Sequence, residues 1–138
     1  AAGEWLDRNA ATADRVLVDA PCSGTGAWRR NPEARWRLSA EILARNIENQ
    51  RDLLRQGAAL VRPGGRLIYA TCSLLAEENE ARVEEFLQAC GNFALLPMRE
   101  LLPALLPASA LGRNDYLVLT PHRHGTDGFF VAVLSHSV

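Results

Sequence analysis

Two cysteines, Cys22 and Cys72, stand in surroundings that suit a reactive thiol. Segment 19–26 reads Asp-Ala-Pro-Cys-Ser-Gly-Thr-Gly and follows the apolar run 16–18, which is typical of a buried strand. Cys72 follows a second strand-like run, 66–71, and precedes another serine. A thiolate at such a place can act as a covalent catalyst, whereas a cysteine inside a core is inert. Two strand-end cysteines in similar turns favour the reactive interpretation.

Other thiol chemistries fit the spacing poorly. A phosphatase loop needs five residues between its cysteine and its arginine, and six separate Cys22 from Arg29. Redox pairs usually lie close in sequence, which these cysteines do not. No CxxC pair or Cys/His run at zinc spacing occurs, so no metal site is predicted. Cys90 falls on the apolar stripe of a predicted helix and is interpreted as a core residue.

Two parallel strands are needed to bring the cysteines together. Strands 16–19 and 66–71 are separated by a helical pattern at 40–60, for which Ser39 is the predicted N-cap. Such a strand–helix–strand unit makes the two strands neighbours about 4.8 Å apart, so we expect the two sulfurs to face one cleft within about 10 Å. Asp19 ends the first strand with an acceptor at the carboxyl edge, where open α/β sheets bind ligands. Its alternative is a turn-capping aspartate, common before Ala-Pro.

The rest of the pattern completes an α/β fold. A second helix is predicted to open at Leu74 and to end at Gly91, with glutamates near its positive end. Three further strands are predicted at 93–96, 116–120 and 129–135, with 1–14 as a loop containing at most a short turn and 97–112 as irregular chain with helical turns. Strand 16–19 is apolar on both faces, yet no earlier strand is available to cover it. We therefore expect a truncated amino end and a chain that self-associates or is only marginally stable.

Composition bounds the class of protein. The 138 residues suffice for one domain, with 48% hydrophobic and 22% charged residues and a net charge of −1. That charge argues against a strongly basic protein that coats nucleic acid, although all fifteen basic residues are arginine. Three widely spaced cysteines do not suggest a secreted disulfide framework. Neither a signal peptide nor an apolar run of membrane length is present, so a cytoplasmic location is expected.

The motifs together resemble those of the Sun (Nop/Sun, Fmu) family of RNA cytosine-5 methyltransferases, from about Arg15 to Val133. The segments that carry the resemblance are 19–26, Arg29-Arg30-Asn31-Pro32, 70–74, Glu77-Glu78-Asn79 and the ending 124–130. The resemblance implies a Rossmann-like class I methyltransferase sheet with flanking helices, S-adenosylmethionine as cofactor and RNA, ribosomal in the best-known bacterial members, as substrate. It also implies that residues 1–138 form the carboxyl-terminal part of one such domain, without the amino-terminal cofactor loop, and so bind the cofactor weakly or not at all.

The resemblance assigns roles to three residues. The cysteine of the Thr-Cys motif, here Cys72, is the family's nucleophile, which adds to carbon 6 of cytosine. The Pro-Cys cysteine, here Cys22, assists release of the product. Asp19 is placed beside the methyl donor and the cytosine amino group, where a buried carboxylate could accept a hydrogen bond from the base. In DNA cytosine-5 methyltransferases the Pro-Cys thiol attacks instead, so the opposite assignment stays open.

A basic and aromatic segment between the first strand and the helix is the candidate RNA contact. Arginines pair with phosphates and aromatic rings stack on unpaired bases. The candidates are Trp28, Arg29, Arg30 and Arg35, with Trp36 and Arg37 beside them. The alternative is a solvated charged loop whose tryptophans pack into the core. The corresponding alternative for the whole chain is a non-catalytic RNA-binding or assembly module with the same fold.

Overall fold

The computed structural model describes residues 2–102, 104, 107–112 and 116–138. Its helices are α1 (Ala2–Arg8), α2 (Ala40–Leu60), α3 (Glu80–Ala89), α4 (Met98–Leu101) and α5 (Pro121–His124). Its strands are β1 (Ala13–Asp19), β2 (Val61–Thr71), β3 (Phe93–Leu96), β4 (Leu117–Leu119) and β5 (Phe129–His136). Within these residues, short 3-10 turns occur at Thr25–Ala27, Pro32–Arg37 and Ala108–Ala110.

The strands form one mixed sheet in the order β1-β2-β5-β3, and β4 pairs with β5 beyond this path. β1 and β2 run parallel, with Val18 opposite Tyr69 and Asp19 opposite Ala70. This arrangement confirms that the two cysteine-bearing strands are parallel neighbours. β5 is antiparallel to both of its principal neighbours, so the last strand inserts between β2 and β3.

Helix α2 links the two parallel strands and packs on them. The Ser39 hydroxyl accepts a hydrogen bond from the Ile42 amide at 3.3 Å, which confirms the N-cap. The helix packs so close to the sheet at Gly57 that a Cβ there would lie 2.8 Å from Val18 Cγ2. Leu54, one turn earlier, is fully buried in the same layer. The bounds of α2 agree with the predicted helix at both ends.

The core lies between the sheet and its helices. Large side chains from the two central strands meet there: the ring centroids of Tyr69 and Phe130 lie 6.3 Å apart, edge to face. The fully buried side chains of this layer are Leu54, Val61, Leu67, Tyr69, Val83, Tyr116, Phe130, Ala132 and Leu134. This packing makes the ends of β1 and β2 a rigid base for the residues that follow them.

Several elements differ from the sequence prediction. The second helix begins at Glu80 and not at Leu74, because residues 76–79 form a turn whose last two side chains are buried. The amino-terminal segment, predicted as a loop, contains the two-turn helix α1, and β2 starts five residues earlier than predicted, at Val61. The strand predicted at 116–120 is shortened to β4. In the region predicted as irregular, α4 and the turn Ala108–Ala110 are present, and residues 103, 105 and 106 lie outside the described part.

Strand β1 is an edge of the sheet, and no second neighbour covers it among the described residues. Leu17, in the middle of this strand, is 65% exposed although its residue type favours burial. Within the described part of the chain, no helix combines the length and the apolar character needed to span a bilayer.

Candidate active site

The two predicted thiols lie against each other. Cys22 Sγ and Cys72 Sγ are 3.5 Å apart, both cysteines are free, and both are half-buried. They follow the carboxyl ends of β1 and β2, the edge at which open α/β sheets bind ligands. The expectation that the sulfurs share one cleft is confirmed, and the distance is far shorter than the limit set by strand spacing.

The loop after β1 is shaped by backbone and side-chain contacts around Cys22. The Ala20 amide donates to the Ala70 carbonyl at 2.9 Å, so the pairing of β1 with β2 continues to the residue before Pro21. The buried Gln50 side chain of α2 donates to the Pro21 carbonyl at 2.9 Å. Gly24 then turns the chain with φ +67°, a conformation that favours glycine. Cys22 is therefore held between a strand end, a helix side chain and a tight turn.

The loop after β2 is fixed by the buried Asn79. The Thr71 hydroxyl donates to Asn79 Oδ1 at 2.5 Å, and Asn79 Nδ2 donates to the Ser73 carbonyl at 2.8 Å. The Ser73 amide donates in turn to the Thr71 hydroxyl at 3.1 Å. These three bonds surround Cys72 in the chain, so its backbone has little freedom to move.

The two loops are also joined to each other. The Gly26 amide donates to the Cys72 carbonyl at 2.9 Å, and the Leu74 amide donates to Thr25 Oγ1 at 2.7 Å. The hydroxyls of Ser23 and Ser73 lie 3.2 Å apart. Both cysteine loops therefore behave as one hydrogen-bonded unit, although about fifty residues separate them in the sequence.

Burial changes the acidity of one thiol. Desolvation is the largest cause, and with the neighbouring Cys72 it raises the pKa of the Cys22 thiol from 9.0 to about 12. Cys22 therefore stays a neutral thiol at physiological pH and can donate a hydrogen bond. Burial likewise raises the pKa of Tyr69, whose hydroxyl donates to the Glu78 carbonyl at 2.6 Å beneath the site.

Asp19 lies at the predicted edge but not in the predicted environment. The motif predicts a buried carboxylate, but Asp19 is exposed because it belongs to the uncovered edge strand. Its carboxylate makes no hydrogen bond or ion pair with the part of the chain that the structure describes. The turn-capping interpretation therefore has no support, and the carboxylate is available to a ligand.

The candidate RNA contacts fall into two groups. Arg30 Nε donates to Asp127 Oδ2 at 2.6 Å, and Arg29 lies 3.9 Å from the other carboxylate oxygen, so both arginines contact the segment before β5. Arg35 stacks on Trp36, with the guanidinium carbon 4.4 Å from the ring centroid.

The two tryptophans of this segment have different environments. Trp36 is 78% exposed, so the alternative that both tryptophans pack into the core is wrong for this one. Trp28 is half-buried, and its Nε1 is buried without a partner among the described residues. Trp36 is therefore the better placed of the two to contact a base.

Sequence reasoning missed the residue that contacts both cysteine loops. The sequence predicts Glu78 in the first turns of a helix, but Glu78 is fully buried and accepts hydrogen bonds from Ser23 and Gln50. The only signal was its presence in the Glu77-Glu78-Asn79 segment. Among the residues that the structure describes, no group of three His, Cys, Asp or Glu side chains is arranged to hold a metal ion.

A mixed sheet flanked by helices is the architecture of Rossmann-like methyltransferases, and in this chain two thiols meet at the carboxyl ends of β1 and β2. The family model described as 16S rRNA methyltransferase RsmB/F matches residues 2–135, and the chain belongs to this family. The match confirms the resemblance to the Sun family that the motifs carry.

Sequence relatives and solved structures agree with the family assignment. The chain is 47% identical over 122 residues to a protein of Mycobacterium tuberculosis named as a methyltransferase, covering 88% of this chain and 26% of the relative. It is 42% identical over 122 residues to ribosomal RNA small subunit methyltransferase B of Thermus thermophilus, covering 88% and 29%. The crystal structure of NSun6 from Pyrococcus horikoshii with SFG superimposes with a TM-score of 0.71 at 28% identity, covering 88% and 29%. The chain thus spans less than a third of each of these proteins.

Proposed function

We propose that this chain supplies the cysteine-bearing part of an enzyme that methylates carbon 5 of a cytosine in ribosomal RNA. The observation that carries the proposal is the 3.5 Å separation of Cys22 Sγ and Cys72 Sγ at the ends of parallel strands. Membership of the 16S rRNA methyltransferase RsmB/F family supports the choice of RNA and of methyl transfer. A ribosomal RNA substrate would place the reaction in the cytoplasm.

Covalent catalysis explains the need for a thiolate. Carbon 5 of cytosine is a weak nucleophile, and addition of the Cys72 thiolate to carbon 6 makes the ring an enamine whose carbon 5 can attack an electrophilic methyl group. S-adenosylmethionine, when bound, supplies that methyl group. Transfer of the carbon-5 proton to a water molecule then restores the ring as the sulfur–carbon 6 bond breaks and its electron pair returns to Cys72.

The raised pKa of Cys22 suits the second role better than the first. A thiol that keeps its proton at neutral pH is a poor attacking group but a competent hydrogen-bond donor. At 3.5 Å, the Cys22 S–H can donate to the Cys72 sulfur and stabilise it as the leaving thiolate. The family's Thr-Cys and Pro-Cys motifs assign attack to Cys72 and assistance of product release to Cys22, and the contact between the two sulfurs is compatible with that assignment.

Asp19 is the residue of this chain that would contact a cofactor or a base bound at this edge. Asp19 is exposed, has no partner in the described part of the chain, and lies three residues before Cys22. Its oxygens can accept from the exocyclic amine of cytosine or from donor groups of S-adenosylmethionine. The solved relative NSun6 contains SFG, an S-adenosylmethionine analogue, which supports the choice of cofactor.

We further propose that residues 1–138 form the carboxyl-terminal part of the methyltransferase domain and that the uncovered edge of β1 docks its amino-terminal part or, failing that, a second copy. The exposure of Leu17 on this edge supports the proposal, because an apolar edge strand normally has a neighbour. RNA would lie on the surface formed by Arg29, Arg30, Arg35 and Trp36, with Trp28 beside it.

The experiment compares two cysteine variants of the natural full-length protein, incubated with ribosomal RNA and S-adenosylmethionine. Cys72→Ala should abolish both methyl transfer and any covalent RNA adduct. Cys22→Ala should leave attack intact and trap the protein on RNA as a species that survives denaturing electrophoresis. Cys90→Ala, a change at the half-buried core thiol, is the matched control and should behave as the parent protein.

Two outcomes would change the conclusion. An adduct from Cys72→Ala, with none from Cys22→Ala, would make the Pro-Cys thiol the nucleophile. Retained methyl transfer in both variants would remove the cysteines from the mechanism altogether. RNA binding without methyl transfer in the parent protein would favour the second candidate, a non-catalytic RNA-binding module, for which the exposed Arg35–Trp36 stack is the supporting observation.

A further inference from the structure

We propose that Glu78 is a positioning residue for the cysteine pair, whose buried carboxyl group holds the loop of Cys22 against the loop of Cys72. The inference deepens the proposed function and rests on it for its catalytic meaning. The claim that Glu78 holds the two loops together rests only on the contacts of Glu78 and does not depend on the proposed function. The hydrogen bonds of the Glu78 carboxyl group go to Ser23, Gln50 and Asn46 and to neither thiol, so the residue acts through its neighbours and not on the reacting atoms.

The contacts of Glu78 converge from three elements. From the Cys22 loop, the Ser23 amide donates to Oε1 at 2.8 Å and the Ser23 hydroxyl donates to Oε2 at 2.6 Å. From α2, Gln50 and Asn46 donate to Oε1 at 3.3 and 3.4 Å. The Glu78 backbone itself follows the Cys72 loop, and its carbonyl accepts from the hydroxyl of Tyr69 on β2. The carboxyl group of Glu78 thus joins the Cys22 loop to α2, and its backbone carbonyl joins the same residue to β2.

The position of Ser23 makes this connection relevant to the thiols. Ser23 is the next residue after Cys22, so its two bonds to Glu78 fix the backbone that carries the Cys22 side chain. The same hydroxyl lies 3.2 Å from that of Ser73, the next residue after Cys72. The chain Ser73–Ser23–Glu78 therefore relates the backbone positions that follow the two sulfurs.

Burial indicates that this arrangement is not incidental. Glu78 is fully buried, and a buried carboxyl group is costly unless donors satisfy its oxygens. The donors here come from segments remote from Glu78 in sequence, so removal of the side chain would leave several of them unpaired at once. The Cys22 loop would lose most of its support, because it supplies the two shortest hydrogen bonds to the carboxyl group.

Glutamine can replace the glutamate without loss of these contacts. An amide oxygen at the Oε1 position keeps the three N–H donors from Ser23, Gln50 and Asn46. The amide NH₂ at the Oε2 position donates to the Ser23 hydroxyl, which then turns its own hydrogen toward Ser73 Oγ. A positioning role therefore predicts that Glu78→Gln retains function and that Glu78→Ala does not.

The test measures sulfur proximity directly. In the natural full-length protein carrying Cys90→Ser, a diazene oxidant takes one hydrogen from each thiol and becomes a hydrazine while the Cys22–Cys72 disulfide forms. The disulfide needs the sulfurs to close to about 2.04 Å, so its rate reports the positions of the two loops. At each time point the remaining free thiols are alkylated, and mass spectrometry measures the fraction of protein in which Cys22 and Cys72 have formed the disulfide. Glu78→Gln should match the parent, and Glu78→Ala should be slower by about tenfold or more, as expected for lost buried hydrogen bonds.

Two further variants separate positioning from general destabilisation. Phe93→Leu lowers stability in β3, on the far side of the sheet from β1, and should leave the disulfide rate unchanged. Ser23→Ala removes the bond to Oε2 and keeps the buried carboxyl group, so it should slow the disulfide rate even if Glu78→Ala fails to fold. In RNA methylation, kcat should follow the same order while KM for RNA changes little.

The outcomes distinguish the inference from the proposed function. A disulfide rate in folded Glu78→Ala or in Ser23→Ala equal to that of the parent would overturn the positioning role. Failure of Glu78→Gln to match the parent would overturn it as well, because charge and not geometry would then matter. The disulfide assay contains neither RNA nor cofactor. A parent protein with rapid disulfide formation and no methyl transfer would therefore refute the function and leave the geometric inference standing.

Discussion

The backbones of Gly26 and Gly128 touch, although one glycine follows the Cys22 loop and the other precedes β5. The Gly128 amide donates to the Gly26 carbonyl at 2.8 Å, and a Cβ built on Gly26 would lie 2.7 Å from Gly128 Cα. Gly26 also donates its amide to the Cys72 carbonyl. The segment before β5 therefore packs against the cysteine loops, and the close backbone contact leaves room only for glycine at Gly26.

Gly26→Ala should destabilise this junction. The atoms that the new Cβ meets belong to backbone, which cannot rotate away, and overpacking of this kind costs about 1–3 kcal/mol. The free energy of unfolding, measured by urea denaturation, should fall by that amount, and methyl transfer should fall with it as the bond from Gly26 to Cys72 is displaced.

Gly91→Ala is the matched control for this change. Gly91 has open space around its Cα and no positive φ, so its substitution should leave both stability and activity unchanged. Equal effects of the two substitutions would show that the contact between Gly26 and Gly128 is not tight.

The reactivity of Cys22 should depend on pH in a way that differs from an ordinary thiol. Because its pKa is raised to about 12, alkylation by iodoacetamide should keep rising by about tenfold per pH unit beyond pH 9, since only the thiolate reacts. Mass spectrometry of the digested protein identifies the modified cysteine. The chain contains no lysine, so few other side chains titrate in this range.

The same shift has a consequence for stability. A thiol whose pKa is higher in the folded than in the unfolded state stabilises the fold at pH values below 9, and this contribution is lost as the pH rises from 9 to about 12.

Cys72→Ser should move the alkylation profile of Cys22 to lower pH, because the neighbouring Cys72 is one cause of the shift. A Cys22 profile that levels off near pH 9 would contradict the burial of this thiol.

Trp36 should contribute to RNA affinity without contributing to the fold. Its ring is 78% exposed and already carries the guanidinium of Arg35 on one face. Stacking of a base on an aromatic ring is worth about 1–3 kcal/mol, so Trp36→Ala should weaken RNA binding by about tenfold or more in a fluorescence titration. The melting temperature should not change.

Trp5 on α1 provides the control for Trp36. It is also exposed, at 54%, but lies outside the arginine-rich segment. Trp5→Ala should leave RNA affinity unchanged. A similar loss of affinity from both substitutions would place the RNA on a broader surface than the one proposed, and no loss from either would remove Trp36 from it.

Local sequence patterns were sufficient for the elements that carry the thiols. The periodic apolar positions and the Ser39 cap predicted α2 with its observed bounds, and the two apolar runs before Cys22 and Cys72 predicted parallel neighbours. Such features depend on interactions between residues near in sequence and on the geometry of a strand–helix–strand unit. For the same reason, the sequence could place the two sulfurs within about 10 Å of each other.

The sequence by itself therefore determined the strand–helix–strand unit, the family and the two thiols at one edge of the sheet. Only the tertiary structure decided that Glu78 turns inward beneath both loops, that Asp19 stays exposed, and that β5 inserts beside β2. A glutamate in a run of charged residues resembles a solvated helix start, and the donors that bury it come from segments up to 55 residues away. Burial of a polar side chain is set by such distant partners, and no local pattern contains them.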